Sequence, residues 1–272
     1  MKSIALITVI YNNYQVLDDL FTSLEKQSNA SYHLYIADAS SKKKSITARN
    51  VKHTVINIEN KGYAYGINVG LQQAIQDGYT KFCVINDDTY VEKDFIELIR
   101  VAFETYPRSL IGGKVYYAPG YEYHRNRYKK QDKGNVLWYA GGQVDWAHAT
   151  THHRGVDEVD ISQYNEPEKT DFITGCLMCF DKGVVDAIGF WDESYFLYYE
   201  DADYCEKAKK KDIPLMYEPK LTIWHKNAQS TNGSGSKLHE HYQRDARFRF
   251  GMKYAPLRTK LHLLKNRFFV RK

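Results

Sequence analysis

The sequence lacks the features that mark disulfide-stabilised and membrane-embedded proteins. Only four cysteines occur in 272 residues, and they mostly lie inside apolar or helical patterns, which fits a reducing cytoplasm rather than a disulfide framework. They are Cys83, Cys176, Cys179 and Cys205. Cys176 and Cys179 form a CxxC pair within an apolar run, which favours buried packing over zinc or redox chemistry. No apolar run approaches the ~20 residues that a membrane-spanning helix needs.

The N-terminal segment has no small-residue cleavage site after its apolar stretch, so Ile4–Ile10 is interpreted as a first buried strand and not as a secretion signal. No internal repeat is found. Hydrophobic residues make up 43% of the chain and charged residues 26%, which is typical of a globular protein. We therefore expect a cytoplasmic protein that is not integral to a bilayer.

Acidic residues are absent from Met252 to Lys272, although the whole chain has a net charge of only +5. In this segment basic residues alternate with leucine and phenylalanine. The basic residues are Lys253, Arg258, Lys260, Lys265, Arg267, Arg271 and Lys272, and the apolar ones are Leu257, Leu261, Leu263, Leu264, Phe268 and Phe269. The pattern suits peripheral contact with an anionic membrane surface; nucleic acid is a second choice that no recognised motif supports. A terminal helix packed by its leucines explains the same pattern without a partner.

Apolar runs and helical periodicity alternate through the first half of the chain. The predicted strands are Ile4–Ile10, Tyr32–Ala37, Thr54–Ile58 and Lys81–Ile85, and the predicted helices are Val16 to Leu24, Ala64–Gln76 and Asp94–Tyr106. This rhythm predicts an α/β fold with a mostly parallel, Rossmann-like central sheet flanked by helices. Ligands of such sheets bind beyond the carboxyl ends of the strands, where Tyr11, Asp38 and the pair Asp87-Asp88 fall. These polar clusters are expected to converge on one crevice.

The rhythm breaks at Gly112-Gly113, and a region rich in tyrosine, glycine and histidine runs to about Lys169. Its length predicts a substrate-facing excursion with short strands. The elements predicted in the second half are strands at Val115–Tyr117, Val136–Tyr139 and Phe172–Phe180 and helices at Lys182–Ile188 and from about Glu200. The linker-like stretch Thr231–Ser236 is predicted to be a mobile loop that closes over a ligand.

Two adjacent carboxylates, Asp87 and Asp88, directly follow the apolar run Phe82–Ile85. Carboxylates repel one another and are costly to desolvate, so a pair at a strand end indicates a divalent cation with a bound diphosphate. A solvated turn that caps the following helix is the alternative.

Three further segments contain candidate functional residues. The glycines of Asn60–Gly70 permit close approach of a phosphate to a helix start, although helix packing also explains Gly66 and Gly70. Tyr198–Asp203 places aromatic residues beside acids at a helix start, which suggests either a general base or compensation of the helix dipole. His225 follows an apolar strand, where a structural role is the alternative to metal ligation.

Several of these segments occur in an order that resembles inverting family 2 glycosyltransferases, most closely their bacterial rhamnosyltransferase-like branch. The matching segments are Asn60–Gly70, Asn86–Thr89, Thr174–Cys176, Gly189–Glu193, Phe196–Asp203 and Trp224-His225. The resemblance implies the GT-A fold. It makes residues 1–110 the half that binds the nucleotide-sugar, residues 111–230 the acceptor-binding and catalytic half of the same domain, and residues 231–272 a flexible loop and a basic helical tail.

The resemblance also implies a role for each matching residue. The implied roles are contact with the nucleotide for Tyr11, Asp38 and Asn68; contact with ribose or metal for Asp87; ligation of Mn²⁺ or Mg²⁺ for Asp88 and His225; lining of the sugar pocket for Gly175; general base for Asp201; and binding of the acceptor or donor sugar for Glu200. The donor would be dTDP-linked or UDP-linked, such as dTDP-rhamnose, UDP-galactofuranose or another UDP-hexose. The acceptor would be a bacterial surface polysaccharide or a lipid-linked glycan.

The residue types fit this chemistry independently of the resemblance. A cation that bridges a diphosphate stabilises the charge left when the sugar–phosphate bond breaks. An acceptor hydroxyl must lose its proton as it attacks the anomeric carbon, and a carboxylate can accept that proton. Single displacement with inversion is therefore expected.

Two other functions remain open from the sequence. A sugar-1-phosphate nucleotidyltransferase also uses acidic metal ligands beside a parallel sheet, but it would need a basic, glycine-rich loop after the first strand, where this chain has Tyr11–Tyr14. A non-catalytic glycan-binding module would explain the 23 tyrosines, whose rings can stack on sugars. The cluster of His148, His152 and His153 is interpreted as a polar loop rather than a zinc site.

Overall fold

The structure is a computed structural model that describes residues 4–47, 50–124, 126–226 and 237–269. Twelve strands and seven helices occur in these residues. The strands are β1 (Ile4–Ile10), β2 (Tyr32–Asp38), β3 (His53–Asn57), β4 (Lys81–Ile85), β5 (Thr89–Val91), β6 (Leu110–Tyr117), β7 (Leu137–Tyr139), β8 (Gly142–Asp145), β9 (Thr150–His153), β10 (Glu168–Lys169), β11 (Leu177–Asp181) and β12 (Leu215–His225). The helices are α1 (Leu17–Glu25), α2 (Tyr63–Gln76), α3 (Phe95–Thr105), α4 (Lys182–Ile188), α5 (Glu200–Lys209), α6 (Lys237–Tyr254) and α7 (Leu257–Phe269).

A central sheet with the strand order β10-β12-β6-β11-β4-β1-β2-β3 organises the chain. Strands β1 to β4 pair in parallel, and so do β6 and β12, whereas β11 runs antiparallel between β4 and β6. The predicted mostly parallel sheet flanked by helices is thus confirmed. Because β11 runs in reverse, it begins at the edge of the sheet where β1, β2 and β4 end.

The local reasons for these elements are visible in the burial pattern. Strands β1 and β4 are apolar almost throughout and buried, as expected for strands covered on both faces. Helix α1 buries Leu17, Leu20, Phe21 and Leu24, which recur at helical spacing and form one apolar stripe. The predicted bounds of α4 and β4 agree with the structure, and those of α2 and α3 agree to within one residue at each end.

The regular alternation of strands and helices ends after Gly112-Gly113 as expected, but both glycines lie inside β6, which runs from Leu110 to Tyr117. The neighbouring β12 bulges here: its register to β6 shifts between Glu218 and Thr222. A Cβ atom on Gly113 would lie 2.0 Å from the carbonyl oxygen of Leu221. The glycine therefore lets a bulged strand approach its neighbour and does not end the strand.

Replacing Gly113 with alanine is expected to destabilise the fold by about 3 kcal/mol or more, since a backbone carbonyl would have to move. Thermal or urea unfolding measures the loss. Gly120→Ala is the matched control: Gly120 has a positive φ of 87° but no atom within 4 Å of its added Cβ, so it isolates the conformational cost of about 1 kcal/mol. Equal midpoints for the two variants would contradict the steric explanation.

The second half of the sequence contributes both to the sheet and to its cover. Strand β11 begins at Leu177 rather than at Phe172, so residues 172–176 form a loop across the end of the sheet. Strands β8 and β9 form a separate hairpin. The predicted loop Thr231–Ser236 lies outside the described residues. None of the helices in the described ranges is long and apolar enough to cross a bilayer.

Candidate active site

Five chain segments meet at one edge of the central sheet. Strands β1, β2 and β4 end there at Ile10, Asp38 and Ile85, and β12 ends on the same side at His225. Strand β11 begins there, with Leu177 opposite Ile85. The predicted convergence of the polar clusters therefore holds for the strand ends, and the loop before β11 joins them.

Asp88 and His225 form the deepest polar pair of this edge. His225 Nε2 lies 3.1 Å from Asp88 Oδ1, and both side chains are about 5% exposed. The backbone fixes the pair, because β5 pairs Thr89 with His225 and the amide of Lys226 donates to the carbonyl of Asp88. Trp138 covers the His225 ring edge-on, with ring centroids 4.7 Å apart.

The ionisable side chains at this edge shift one another's pKa values. Burial and the neighbouring Asp88 raise the pKa of Asp87 well above its usual value. Burial alone would lower the pKa of His225, but the carboxylate of Asp88 and the thiol of Cys176 raise it well above its usual value. Asp87 Oδ2 is buried without a hydrogen-bond partner. Two desolvated carboxylates with one orphaned oxygen form a site that a cation would stabilise.

The geometry fits a shared divalent ion. In octahedral coordination with bonds of about 2.1 Å, adjacent ligand atoms lie about 3.0 Å apart, which is close to the 3.1 Å between Asp88 and His225. No group of three or more His, Cys, Asp or Glu side chains in the described ranges is arranged to hold an ion by itself. An ion here would have to complete its shell with substrate phosphates and water, as Mg²⁺ commonly does.

The second acidic group begins helix α5. Tyr198 and Tyr199 both adopt positive φ, at 71° and 65°, a conformation that non-glycine residues rarely adopt and that marks functional sites. This bend delivers Glu200 and Asp201 to the site. The amide of Gly175 donates to Asp201 Oδ2 at 2.8 Å.

The two acids of α5 differ in exposure. Burial raises the pKa of Asp201 to about 6, while the amides of Gly175 and Ala202 limit the rise; the residue is only half-buried. Glu200 is 6% exposed, and burial together with Asp201 raises its pKa well above its usual value. Its Oε2 is buried without a hydrogen-bond partner. Asp201 is therefore the carboxylate that incoming hydroxyls reach more easily, and Glu200 has an unused acceptor.

Tyr63 and Cys176 join the two acidic groups, and the sequence analysis assigned a role to neither. The Tyr63 hydroxyl lies 2.9 Å from Asn86 Oδ1 and 3.1 Å from the carbonyl oxygen of Gly175. Burial, Cys176, Glu200, Asp87 and Asp201 all raise its pKa. Cys176 lies within electrostatic range of Asp88, His225 and Asp201. Gly175 and Cys176 therefore connect the two acidic groups, because the Gly175 amide bonds to Asp201 and Cys176 lies beside His225 and near Asp88.

The predicted nucleotide end surrounds Asp38. This carboxylate is fully buried and accepts hydrogen bonds from the Tyr14 hydroxyl at 2.7 Å and the Ser40 amide at 2.8 Å. Lys43 also bonds to the backbone carbonyl of Asp38. Tyr11 is 40% exposed beside it. A role of Asp38 in base recognition stays a prediction, and any base must share the carboxylate with Tyr14.

Asn68 and the glycines around it bind other parts of the protein. The Asn68 amide donates to the Trp191 carbonyl and to Glu193 Oε1, and its oxygen accepts from the Trp191 amide. Cβ atoms on Gly66 and Gly70 would meet the side chains of Val9 and Ile7 at 2.7 Å. Helix packing thus accounts for both glycines, and contact of Asn68 with the nucleotide stays a prediction.

The start of α2 has a similar structural explanation. Gly62 has a φ of 106°, and an added Cβ would lie 2.5 Å from the carbonyl oxygen of Phe196. The first amide of the helix, that of Tyr63, donates to the same carbonyl at 2.9 Å. This close approach serves the loop that precedes Glu200, so the amide is already used and is not a phosphate donor.

Helix α6 supports α5 from behind. Lys253 Nζ donates to Asp203 Oδ1 at 2.6 Å and to Asp192 Oδ2 at 3.0 Å, and the Tyr254 hydroxyl also bonds to Asp203. The ring of Phe250 contacts the ring of Tyr199, with centroids 5.3 Å apart. Helix α6 therefore supports the bend at Tyr198 and Tyr199 that precedes Glu200.

The three histidines of the 148–153 region have separate surroundings. His148 pairs with Asp145 at 2.6 Å, and His152 bonds to Thr150. His153 is half-buried, its Nδ1 bonds to the Trp138 carbonyl, and burial lowers its pKa to about 4. The interpretation as a polar loop holds only for His148, which lies in the turn of the β8–β9 hairpin, because His152 and His153 belong to strand β9.

Comparisons with known proteins identify the family and the fold. The family model "Glycosyl transferase family 2" matches residues 5–188. The chain is 19% identical over 211 residues to the "Low-salt glycan biosynthesis hexosyltransferase Agl10" of Haloferax volcanii, and the match covers 77% of this chain and 63% of that relative. A crystal structure of GalNAc-T7 with UDP, GalNAc and Mn²⁺ aligns with a TM-score of 0.69 at 14% identity, over 97% of this chain and 50% of that one. The shared fold is the expected GT-A fold.

Proposed function

Because the chain belongs to glycosyl transferase family 2, we propose that it is a metal-dependent, inverting hexosyltransferase that uses a nucleoside-diphosphate-sugar donor. The observation that carries the proposal is the loop that links two acidic groups: Cys176 lies beside the Asp88–His225 pair, and the neighbouring Gly175 amide bonds to the half-buried Asp201. Single displacement needs such a pair, since one group must stabilise the leaving diphosphate and the other must accept a proton.

Asp201 is the proposed general base. Its carboxylate is oriented by the Gly175 amide, and its raised pKa of about 6 makes it a stronger proton acceptor than an ordinary aspartate while leaving it ionised at neutral pH. Glu200, whose Oε2 is unused, is proposed to accept a hydrogen bond from a hydroxyl of the acceptor or donor sugar. Gly175 is proposed to line the sugar pocket; it lies beside Asp201 and Trp191, whose atoms would be 3.4 Å from a Cβ at this position.

Asp88 and His225 are the proposed ligands of Mn²⁺ or Mg²⁺, with Asp87 beside them to contact the metal or the ribose. Bound there, the ion supplies Lewis-acid stabilisation of the diphosphate charge as the sugar leaves. Tyr11, Asp38 and Asn68 remain the proposed nucleotide contacts. UDP is the first nucleotide to test, because the GalNAc-T7 structure contains UDP and Mn²⁺; dTDP is the second.

The acceptor is proposed to be a surface polysaccharide or a lipid-linked glycan, with the enzyme acting as a peripheral protein at the inner face of a cell membrane. The similarity to a hexosyltransferase of low-salt glycan biosynthesis supports a glycan acceptor. Rhamnose, galactofuranose and other hexoses all remain candidates for the transferred sugar.

The pH dependence tests the base assignment. Since Asp201 must be deprotonated to accept a proton, kcat/KM is expected to rise about tenfold per pH unit below pH 6 and to level off above it. Measurements are made at saturating Mn²⁺, and the stability of the protein is checked at each pH. The decrease in kcat/KM below pH 6 can then be distinguished from dissociation of the metal and from unfolding. A midpoint near pH 4, the value for an ordinary aspartate, would contradict the raised pKa.

A donor panel tests the proposed function as a whole. The protein is incubated with Mn²⁺, UDP- and dTDP-sugars and a membrane lipid extract, and released nucleoside diphosphate and the anomeric configuration of the product are measured. The expected result is selective turnover of one donor with inverted configuration, lost when Mn²⁺ is chelated. Formation of a nucleotide-sugar from a nucleoside triphosphate and a sugar phosphate, or glycan binding with no turnover of any donor, would overturn the proposal.

A further inference from the structure

Helix α7 has one face that is fixed to the protein. The Thr259 hydroxyl donates to the Trp146 carbonyl at 2.8 Å. Leu263 is 7% exposed and packs with Ala149 and Ala255. It also fills the space beside Gly251, where an added Cβ would lie 2.2 Å from its Cδ1 atom. These contacts fix the rotation of α7 about its axis.

The opposite face presents apolar side chains to solvent. Leu257 is 72% exposed and Leu261 is 59% exposed. They are four residues apart and therefore adjacent on one side of the helix. Leu264, which is half-buried, follows three residues later on the same side. These two exposed leucines form an apolar stripe that no side chain of the described residues covers.

Basic side chains flank this stripe on both sides. At 3.6 residues per turn, Arg258 and Lys265 lie along one border and Lys260 along the other. None of the three forms an ion pair with a described residue, and the sequence from Met252 onwards contains no acidic residue. No described carboxylate therefore neutralises these three charges.

We propose that this outward face of α7, the leucine stripe with its flanking basic side chains, docks onto a lipid bilayer that carries anionic headgroups. A helix that lies in the bilayer interface buries an apolar stripe among the acyl chains while its basic borders contact lipid phosphates. The phosphates of a nucleic acid would pair with the basic side chains but leave the central leucines in water. A two-fold contact with a second copy would bring the same basic borders together, which like-charge repulsion opposes.

Side-chain contacts through helix α6 link this surface to the bend that precedes the proposed base. Helix α7 packs on α6, where Arg267 lies over the Phe248 ring, and Phe250 of α6 contacts Tyr199 in the bend before Glu200. Docking would thus bring the bilayer to the helix pair that supports the proposed base. This link to a lipid-linked acceptor rests on the proposed function, whereas bilayer binding itself does not.

Vesicle sedimentation of the intact protein without donor tests the surface. Vesicles of phosphatidylglycerol and phosphatidylcholine are compared with vesicles of phosphatidylcholine alone. The wild-type chain is expected to bind only the anionic vesicles. The double variant Leu257→Ser/Leu261→Ser should bind them about tenfold more weakly, and the triple variant Arg258→Gln/Lys260→Gln/Lys265→Gln about 100-fold more weakly. Side-chain exchange is preferable to deletion of α7, which would uncover Gly251 and Ala149.

Matched controls change the same properties elsewhere on the surface. Val101→Ser/Ile161→Ser removes two other exposed apolar side chains, and Lys26→Gln/Lys93→Gln/Lys211→Gln removes three other exposed charges; both should bind like wild type. Equal binding by all variants, or no binding to anionic vesicles, would overturn the proposal. So would a dimer in solution that the Leu257→Ser/Leu261→Ser exchange converts to a monomer. Loss of vesicle binding with unchanged donor hydrolysis would support the docking role independently of the proposed chemistry.

Discussion

The Asp201→Asn variant is expected to turn over donor 10²-fold to 10⁴-fold more slowly than the wild type, roughly the contribution of a positioned general base. An amide cannot accept the proton of the acceptor hydroxyl, whereas the donor site around Asp88 is unchanged. The KM for the nucleotide-sugar should therefore change by less than about threefold. Initial rates at saturating Mn²⁺ and acceptor give both constants.

The control for this variant is Asp186→Asn, which removes an aspartate from an exposed pair with Lys182 and should keep full activity. Folding of the Asp201→Asn variant is checked by thermal unfolding. Its stability should stay within about 1 kcal/mol of wild type, because asparagine has one acceptor oxygen for the amides of Gly175 and Ala202, and the loss of one hydrogen bond offsets the relief of carboxylate desolvation. Wild-type kcat in a folded variant would remove Asp201 from the role of base.

The Asp88→Ala variant is expected to lose about 10³-fold or more in activity, together with the joint stabilisation by UDP and Mn²⁺. The ion contributes several kcal/mol of charge stabilisation when its ligands are in place, and His225 alone cannot hold it. In a thermal-shift assay, wild type should be stabilised more by UDP with Mn²⁺ than by either alone, since binding to the native state raises its unfolding temperature. The variant should show no such synergy.

Asp94→Ala provides the control for Asp88→Ala. Asp94 is exposed and makes no capping bond with its side chain, so its removal should preserve the synergy between UDP and Mn²⁺. The same assay with His225→Ala should show weakened synergy if that imidazole is the second ligand. Full synergy in Asp88→Ala would place the metal elsewhere or exclude it from donor binding.

Much of the fold was predictable from the sequence because its signals are local. Strands buried on both faces, such as β1 and β4, are apolar runs, and helices such as α1 repeat apolar residues at helical spacing. The strand ends then locate Asp38 and Asp87-Asp88 at one edge without any knowledge of tertiary contacts.

The parts that failed depend on contacts distant in sequence. The need for glycine at position 113 becomes visible only when the bulge of β12 near Leu221 is known. The reversed strand β11 turns residues 172–176 into a loop, in which Cys176 lies beside His225 and the Gly175 amide bonds to Asp201. Nothing in the local pattern indicates that reversal.

The supporting residues of the site were missed for the same reason. Tyr63 lies within Asn60–Gly70, where the glycines were the candidate functional residues. Its hydroxyl reaches Asn86 and Gly175 only in the folded chain. Lys253 was counted among surface charges of the tail, but its ammonium group bonds to the buried Asp203. Electrostatic partners of this kind are recognised only when both groups have been placed.

The most direct test of the account is the position of Mn²⁺ in a crystal of the protein with UDP, located by anomalous diffraction at the manganese edge. One anomalous peak is expected about 2.2 Å from both Asp88 Oδ1 and His225 Nε2. The diphosphate should lie between the ion and Asp201. A peak away from these two atoms while UDP occupies the strand-end crevice would contradict it.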